Sequence, residues 1–336
     1  MVLETCDDVN LTGYNTLGLR SQAAKLLVFK ERSELPALHD HLSQYERFFV
    51  LGGGSNVVLA ERLRQTVLHV VTKGIRLLHE TEQGYVVQAE AGENWHQFVQ
   101  HCVERGWAGL ENLALIPGTV GAAPVQNIGA YGVELEQRLH SVLAWHFPSA
   151  QLLEIPAQDC GFAYRDSRFK RDPSGTWLIV AVRFFLPRVW QAVLHYADLE
   201  HRVGQQPTPL AVFNAVCDIR RSKLPDPQVL GNAGSFFKNP VVSTQKRNAL
   251  VQQWPALVSY PVDAAHYKLA AAWLIDQLGW KGKRLGPVGM HTAQALVMVN
   301  YGQARAQDIH TLAQAIKDDV QARYGVLLEQ EPINVA

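Results

Sequence analysis

The chain has 336 residues, 47% of them hydrophobic and 18% charged, which is typical of globular proteins and long enough for two or three domains. Lys and Arg number 31, Asp and Glu also number 31, and the formal net charge is therefore zero. This balance argues against binding to nucleic acid or to a membrane surface through overall charge, because neither polyanion attracts a neutral protein.

The N-terminus and the apolar runs indicate where the protein works. Residues 1–8 are acidic and lack both a basic region and an apolar segment, so we expect no signal peptide. Residues 177–186 come nearest to a membrane span, but the run is short and Arg183 interrupts it. We therefore expect a cytoplasmic protein.

The cysteines and histidines indicate neither a disulfide framework nor a metal site. The four cysteines lie far apart, without a Cys-x-x-Cys pair: Cys6, Cys102, Cys160 and Cys217. In a chain of this size that pattern favours reduced cysteines. His39 and His41 form the one close pair of histidines, on a polar segment that is more typical of a solvated surface than of a metal site. We expect no bound metal.

The first half of the chain is predicted to be rich in strands. Phe48–Leu51 predicts a buried strand that leads into a run of glycines. Similar strand patterns recur at residues 66–71, 85–90, 141–147 and 177–186. Because strands and helices do not alternate regularly, we predict an α+β fold rather than a βαβ array.

One helix is clear in this half. Its apolar stripe has the spacing i, i+3, i+4, i+7 and i+8, and consists of Trp95, Phe98, Val99, Cys102 and Val103. Asn94 and Gln97 predict a capping box at its start, and Gly106 predicts its end.

The second half is predicted to contain three helices. The polar segment at residues 205–209 indicates a domain boundary, after which Thr208 as N-cap and Pro209 as first residue open a helix. The second helix is predicted over residues 268–278 and the third over residues 307–323.

Positive charge gathers at the end of the first of these helices. Arg220, Arg221 and Lys223 lie there, where they suit the negative end of the helix dipole. The helix dipole therefore offers a structural explanation for these three basic residues, as an alternative to a functional one.

Two glycine-rich segments predict a ligand site. The run Gly-Gly-Gly-Ser-Asn at residues 52–56 follows a strand, and its glycines permit either a phosphate cradle of backbone N–H groups or a tight turn. It is neither a Rossmann fingerprint nor a Walker A sequence. Residues 116–132 form a long loop of small residues, which either contacts a planar cofactor through its backbone or lines the core.

Two further segments present polar side chains. Arg165, in the run Tyr-Arg-Asp-Ser at residues 164–167, could bind a carboxylate in bidentate geometry or join a surface ion pair. In residues 231–240, two glycines and two aromatic residues flank Ser235, a pattern that exposes a hydroxyl on a loose backbone. No histidine in the segment can serve as a base and no Gly-x-Ser-x-Gly elbow is present, which disfavours a nucleophile and leaves a proton donor.

In this order and at these separations, the four segments resemble UDP-N-acetylenolpyruvoylglucosamine reductase, the flavoenzyme family that completes the muramic acid precursor of bacterial peptidoglycan. The similarity extends from about residue 15 to residue 331. Tyr196, in the run Leu-His-Tyr-Ala-Asp-Leu, matches the tyrosine loop of the tyrosine-loop-containing subtype.

The resemblance implies a two-part FAD-binding domain of the vanillyl-alcohol-oxidase/p-cresol-methylhydroxylase type, followed by a C-terminal α+β substrate domain. We accordingly predict FAD-binding subdomains at residues 1–75 and 76–206 and a UDP-sugar domain at residues 207–336. FAD is expected to bind non-covalently. The residues that the resemblance implies as FAD contacts are Gly52, Gly53, Gly54, Ser55, Asn56, Pro117, Gly118, Gly121, Ala122, Gln126, Asn127, Gly129, Ala130 and Tyr131.

The resemblance also implies the reaction. UDP-N-acetylglucosamine enolpyruvate is reduced to UDP-N-acetylmuramate with NADPH as co-substrate, by hydride from flavin N5 and a proton from Ser235, with Arg165 and Glu331 beside the enolpyruvyl group. The residue count from Ser235 selects Glu331 over Glu329. The implied UDP-sugar contacts are Tyr196, Lys223, Asn239, Lys281 and Gln294. We expect a monomer in the bacterial cytoplasm, with no nucleic-acid or membrane partner.

The sequence departs from the family after Glu331. The family continues Glu-Val-Arg, whereas Pro332 follows Glu331 here and removes a backbone N–H from the expected terminal strand. Two other functions fit the same segments: a different flavin oxidase on this fold, which fold alone does not distinguish, and a non-catalytic sensor of flavin or UDP-sugar.

Overall fold

A computed structural model describes residues 3–45 and 47–336 of the chain. Contacts between Cα atoms divide these residues into two units. The first unit comprises residues 3–9, 23–54 and 64–222, and the second comprises residues 10–22, 55–63 and 223–336. Within the described ranges, no helix is both long enough and apolar enough to cross a membrane.

The first sheet of the first unit contains parallel strand pairs. Its strand order is Glu4–Asn10, Gln22–Phe29, Thr66–Val70 and Phe48–Leu51. The last three strands run parallel, with Leu26 opposite Val67 and Phe48 opposite Thr66. The strands predicted at Phe48–Leu51 and residues 66–71 are thus confirmed to within one residue.

The second sheet of the first unit is antiparallel. Its strand order is Gln151–Pro156, Leu139–His146, Trp177–Pro187, Gly84–Glu90 and Ile75–Glu80. Three of these strands match the predicted runs. The central strand, Trp177–Pro187, is buried over most of its length, which explains why its residues other than Arg183 are apolar at successive positions rather than alternating with polar ones.

The α-helices described in the first unit have between 4 and 15 residues. They are Leu35–Leu42, Trp95–Glu104, Arg168–Arg171, Ala197–Val203 and Pro209–Lys223, the last of which ends one residue beyond the unit. Asn94 Oδ1 accepts the Gln97 N–H at 3.0 Å, which confirms the Asn94 half of the predicted capping box, and Gly106 follows with φ of +75°.

The helix Pro209–Lys223 also begins as predicted, since the Ala211 N–H donates to Thr208 Oγ1 at 3.1 Å. Its apolar side, which includes Val212 and Val216, belongs to the hydrophobic core of the first unit. The predicted boundary at residue 206 falls before this helix, and the division by contacts falls before its last residue, Lys223.

The second unit contains small antiparallel sheets and one parallel pair. One sheet has the order Gly231–Ser235, Val297–Asn300, Val288–Met290 and Arg284–Leu285, and another the order Val241–Ser243, His266–Leu269 and Ser259–Pro261. Ile333–Val335 pairs in parallel with Val57–Leu59. Shorter strands at Arg62–Leu63, Gly129–Ala130 and Val133–Glu134 complete the set in the two units.

The second unit has three helices: Thr244–Gln253, Ala271–Gln277 and Ala306–Tyr324. The last confirms the helix predicted over residues 307–323, and Gly325 ends it with φ of +60°. The helix predicted over residues 268–278 was placed wrongly at its start, because Lys268 pairs with Val241 and Tyr260 in the middle of a sheet. Sheet pairing there overrides the local helical pattern.

Candidate active site

The glycine run at residues 52–54 lies against the backbone of the long loop in the first unit. A Cβ atom on Gly53 would lie 3.0 Å from Gly118 Cα, and one on Gly52 would lie 2.5 Å from Thr119 Oγ1. Side chains are therefore excluded where the two predicted cofactor segments meet. This close approach fits a ligand that is held by backbone groups, and so fits the predicted role in FAD binding.

The loop at residues 116–132 is ordered by short helical turns and by backbone contacts. It contains the 3₁₀ turns Val120–Ala122 and Pro124–Gln126. The Gly121 N–H donates to Ala91 O at 2.8 Å, and a Cβ on Gly121 would lie 2.5 Å from Ala91 Cβ. The loop thus packs directly on the strand-to-helix turn that precedes Trp95–Glu104.

Asn127 secures the middle of this loop. It is fully buried, with φ of +43°, and its Nδ2 donates to Glu134 Oε2 at 3.1 Å. Its Oδ1 accepts the Glu136 N–H at 3.1 Å. Asn127 therefore holds the loop through its side chain from within the protein, so that a contact with FAD would have to come from its backbone.

Arg165 is attached to the same loop. Its Nη2 donates to Gly129 O at 2.7 Å, and its φ of +55° lies in the left-handed region that non-glycine residues rarely adopt. Ser167 Oγ donates to Val125 O at 2.7 Å. Asp166 pairs with Arg171. The segment at residues 164–167 is thus joined to the predicted cofactor loop.

Arg220 is a half-buried cation at the end of the helix Pro209–Lys223, where the sequence indicates only a favourable interaction with the helix dipole. Its Nε is buried and has no hydrogen-bond partner among the described residues. Burial lowers the pKa of this guanidinium, and the neighbouring Tyr131 hydroxyl opposes that shift. A buried N–H donor beside a residue of the predicted FAD loop is suited to an acceptor on a bound ligand. The burial of Arg220 Nε is evident only in the tertiary structure.

His96 supports the start of the long loop. The Leu115 N–H donates to His96 Nδ1 at 3.1 Å, and the imidazole stacks on Phe213 with ring centroids 5.4 Å apart. Burial lowers the pKa of His96, and the positive charges of Arg221 and Arg220 lower it further. The neutral imidazole is therefore the form that holds Leu115.

Ser235 ends a bulged strand of the second unit. Gly231–Ser235 pairs with Val297–Asn300, with a register shift between Asn232 and Ser235. Gly234 has φ of +68° at this bulge. Ser235 is exposed, whereas Phe236, the next residue, is fully buried. A bulge in a paired strand, rather than the loose backbone expected from the glycines, thus presents the hydroxyl.

Glu331 lies beside this strand through an antiparallel backbone contact. The Glu331 N–H donates to Phe236 O at 2.8 Å, and the Lys238 N–H donates to Glu329 O at 2.9 Å. The Glu329 carboxylate pairs with Lys238 Nζ at 2.8 Å and its side chain is 76% exposed. Glu331 is half-buried and bonded to the residue that follows Ser235, which favours it over Glu329 as the predicted functional carboxylate.

Pro332 does not prevent the terminal strand. The strand begins after it, and the Ile333 N–H makes the first bond, to Asn56 O at 3.0 Å. Asn56 Nδ2 also donates to Glu331 O at 3.2 Å. The N–H that proline lacks is therefore not one that this strand uses. Ser55 and Asn56, both predicted as FAD contacts, belong to the second unit.

The predicted UDP-sugar residues fall into both units. Asn239 Oδ1 accepts the Ala271 N–H at 2.9 Å and so caps the helix Ala271–Gln277, after which Lys281 follows. A Cβ on Gly282 would lie 3.5 Å from Thr292 Cγ2, so the turns that carry Lys281 and Gln294 are close together. Lys223 is exposed at the start of the second unit's long C-terminal segment, and Tyr196 belongs to the first unit.

Family models match both parts of the chain. The model described as FAD binding domain matches residues 25–151, and the model described as UDP-N-acetylenolpyruvoylglucosamine reductase, C-terminal domain, matches residues 226–335. These matches, with the mixed helices and strands, confirm the predicted fold class.

Named relatives agree over the whole chain. The chain is 56% identical to UDP-N-acetylenolpyruvoylglucosamine reductase of Bordetella pertussis, with 97% of this chain and 94% of that one covered. It is 47% identical to the enzyme of the same name from Chromobacterium violaceum, with 99% of each covered. The crystal structure of UDP-N-acetylenolpyruvylglucosamine reductase from Thermus caldophilus matches it with a TM-score of 0.68 at 25% identity and full coverage of both.

We expect Gly53→Ala to weaken FAD binding by about tenfold or more, which corresponds to roughly 1.4 kcal/mol. The added methyl group meets the Gly118 backbone, which must move and take the long loop with it. The dissociation constant of FAD, measured by flavin fluorescence on apoprotein, checks this. Gly13→Ala is the matched control, because nothing lies within 4 Å of its added Cβ. Equal FAD affinity in both variants would contradict the expectation.

His96 predicts a loss of stability in acid. Its ordinary pKa is 6.5, and its pKa in the folded protein is lower. Between these two values the unfolded chain binds more protons than the folded one, so stability falls as the pH drops below about 6.5. We expect His96→Asn, whose amide oxygen can accept the Leu115 N–H without titrating, to lose less thermal stability than the wild type between pH 7.5 and 5.5. An equal loss of thermal stability in the wild type and in His96→Asn would assign the acid sensitivity to other groups.

Proposed function

The chain belongs to the UDP-N-acetylenolpyruvoylglucosamine reductase family, and we propose that Ser235, Arg165 and Glu331 carry the proton and the charge of its reaction. The protein is an FAD-dependent oxidoreductase that reduces UDP-N-acetylglucosamine enolpyruvate to UDP-N-acetylmuramate in peptidoglycan synthesis. The observation that supports the catalytic assignment best is the hydrogen bond from the Glu331 N–H to Phe236 O, which joins Glu331 to the residue after Ser235.

The glycine run and the long loop are proposed to hold FAD. Backbone N–H groups at residues 52–54 would cradle its diphosphate, and the small residues at 116–132 would lie along the cofactor. Arg220 adds a buried donor for an acceptor group of the ligand. When bound, FAD supplies the hydride chemistry that side chains lack, and we propose NADPH as the hydride source.

Arg165 is proposed to bind the substrate carboxylate. Hydride addition to the terminal carbon of the enolpyruvyl ether leaves negative charge on the neighbouring carbon, and this charge is delocalised onto the carboxylate that the carbon carries. A guanidinium whose position is set by Gly129 O, and whose charge needs no protonation step, stabilises that charge without reorganising during the reaction.

Ser235 is proposed to donate the proton to the carbon that becomes carbanion-like. A serine hydroxyl is a weak acid, and it can transfer a proton only to a strongly basic centre held within hydrogen-bonding distance. The bulge at Gly234 exposes this hydroxyl, and the buried Phe236 and Phe237 fix the backbone after it. Glu331 is proposed to shape the hydrogen-bond network around this proton donor.

The UDP-sugar is proposed to contact the residues that the family resemblance implies, which are Tyr196, Lys223, Asn239, Lys281 and Gln294. Lys281, at the end of the turn near Gln294, supplies a positive charge for the diphosphate, and Lys223 supplies another. Asn239 would act mainly through the helix that it caps, because its Oδ1 is already engaged by Ala271. Tyr196, 49% exposed, offers an aromatic ring to the substrate.

We propose that the protein acts as a monomer in the bacterial cytoplasm. Its four cysteines are unpaired, as expected in a reducing compartment. Its formal net charge of zero offers no general attraction to nucleic acid or to a membrane surface.

Ser235→Ala should separate the two half-reactions. We expect reduction of the flavin by NADPH to proceed as in the wild type, and reoxidation by the enolpyruvyl substrate to slow by at least about a hundredfold, because the proton donor is lost. Stopped-flow absorbance of the flavin measures both rates. Ser33→Ala, which alters an exposed serine of the first unit, serves as the control. Reoxidation at the wild-type rate in Ser235→Ala would rule out Ser235 as the proton donor.

The two C-terminal glutamates offer a matched comparison. We expect Glu331→Gln to slow substrate-dependent flavin reoxidation by about tenfold to a hundredfold, because it removes a charge from the network of the proton donor. Glu329→Gln should stay within about twofold of the wild type, since its exposed ion pair with Lys238 contributes little. The same single-turnover assay tests both variants, and the reverse ranking would assign the role to Glu329.

A further inference from the structure

Residues 188–196, which end at Tyr196, form a strap without helix or strand between the strand Trp177–Pro187 and the helix Ala197–Val203. We propose that Asn112 is a positioning residue that holds this strap, and through it places Tyr196 for UDP-sugar binding. The inference rests on the proposed contact between Tyr196 and the UDP-sugar.

Asn112 joins the strap to the predicted FAD loop with a single amide group. Its Nδ2 donates to Tyr131 O at 2.9 Å and to Val193 O at 2.9 Å, and its side chain is buried, with 1% exposure. A carboxamide nitrogen carries two protons, so both are used. Each acceptor is a backbone carbonyl, and the two carbonyls therefore keep a constant relative position as long as Asn112 is present.

The neighbouring Glu111 provides a second attachment for the strap. Its buried carboxylate accepts the Gly109 N–H at 2.7 Å through one oxygen and Trp190 Nε1–H through the other. Glu111 and Asn112 belong to one 3₁₀ turn, Glu111–Leu113. That single turn thus fixes the strap at two points, three residues apart.

The far end of the strap lies beside Tyr131. The rings of Tyr131 and Tyr196 meet edge to face, with centroids 5.5 Å apart and an interplanar angle of 68°. Gly132 has φ of +83°, and a Cβ there would lie 3.0 Å from Val193 Cγ1. Val193 therefore packs against the turn that carries Tyr131.

The geometry makes Tyr196 dependent on Asn112. Three residues of extended chain span about 10 Å, so release of Val193 would allow the Tyr196 ring to move by several ångströms. A bidentate amide that holds Val193 O and Tyr131 O removes this freedom before the substrate arrives, and such preorganisation appears as affinity. Asn112 itself is too deeply buried to contact substrate.

A double-mutant cycle between Asn112 and Tyr196 tests the proposal. We expect Asn112→Ala to raise the dissociation constant of UDP-N-acetylmuramate by about tenfold and to raise KM for the enolpyruvyl substrate more than it lowers kcat, while FAD stays bound. Tyr196→Ala should cause a similar loss. The dissociation constant of the double variant should exceed that of the single variant with the lower affinity by no more than about twofold, because the two changes remove the same interaction.

The controls separate positioning from a structural role. Asn214→Ala makes the same change at an exposed site of the first unit and should leave the dissociation constant unchanged. If Asn112→Ala does not yield folded flavoprotein, Trp190→Phe can replace it, because this change releases only the Glu111 attachment. We expect Trp190→Phe to raise the dissociation constant of UDP-N-acetylmuramate by about threefold, and to cause no further rise in a protein that already carries Tyr196→Ala.

Two results would overturn the inference, and they differ from each other. Multiplicative losses in the double variant, or wild-type affinity in Asn112→Ala, would show that Asn112 does not act through Tyr196. Wild-type affinity in Tyr196→Ala would instead remove the proposed contact of Tyr196 with the UDP-sugar, and the inference with it.

Discussion

The antiparallel contact between residues 236–238 and 329–331 unites two segments that lie about ninety residues apart in the chain. Its two flanking bonds, Glu331 N–H to Phe236 O and Lys238 N–H to Glu329 O, set the register of the C-terminal segment against the strand that ends at Ser235. A slip of one residue would move every side chain of the segment to the opposite side. The candidate carboxylate therefore depends on backbone register, which the buried aromatic residues at 236 and 237 maintain.

The first unit uses backbone atoms in a similar way. Gly53 and Gly118 approach so closely that no side chain fits between them, and Arg165 donates a hydrogen bond to the carbonyl of Gly129. Buried amides such as Asn112 and Asn127 then hold the loop through hydrogen bonds. A loop ordered in this way keeps part of its backbone available to a large ligand, while buried amide side chains form hydrogen bonds with its other backbone groups.

Much of the architecture follows from local patterns. The stripe from Trp95 to Val103 and the Asn94 cap predicted a helix that the structure contains, because residues within one turn of a helix contact each other. The start of the helix at Ala271 was not predictable in this way, since Lys268 has its partners in Val241 and Tyr260. The helix Thr244–Gln253 was missed as well, because it buries only Leu250 and so lacks an apolar stripe.

The sequence by itself determined the four glycine-rich and polar segments, because the types and spacings of these residues are properties of the chain. Their resemblance to a known family then implied the cofactor class and the reaction. The tertiary structure supports the choice of Glu331 over Glu329 that the residue count had already made, since Glu331 is bonded to Phe236 beside Ser235 and the exposed Glu329 pairs with Lys238. It also showed Asn239 as a helix cap, Arg220 as a buried donor and Asn112 as the link between two loops. These roles depend on partners tens of residues away in the chain, and neither the periodicity nor the spacing of residues predicts such long-range contacts.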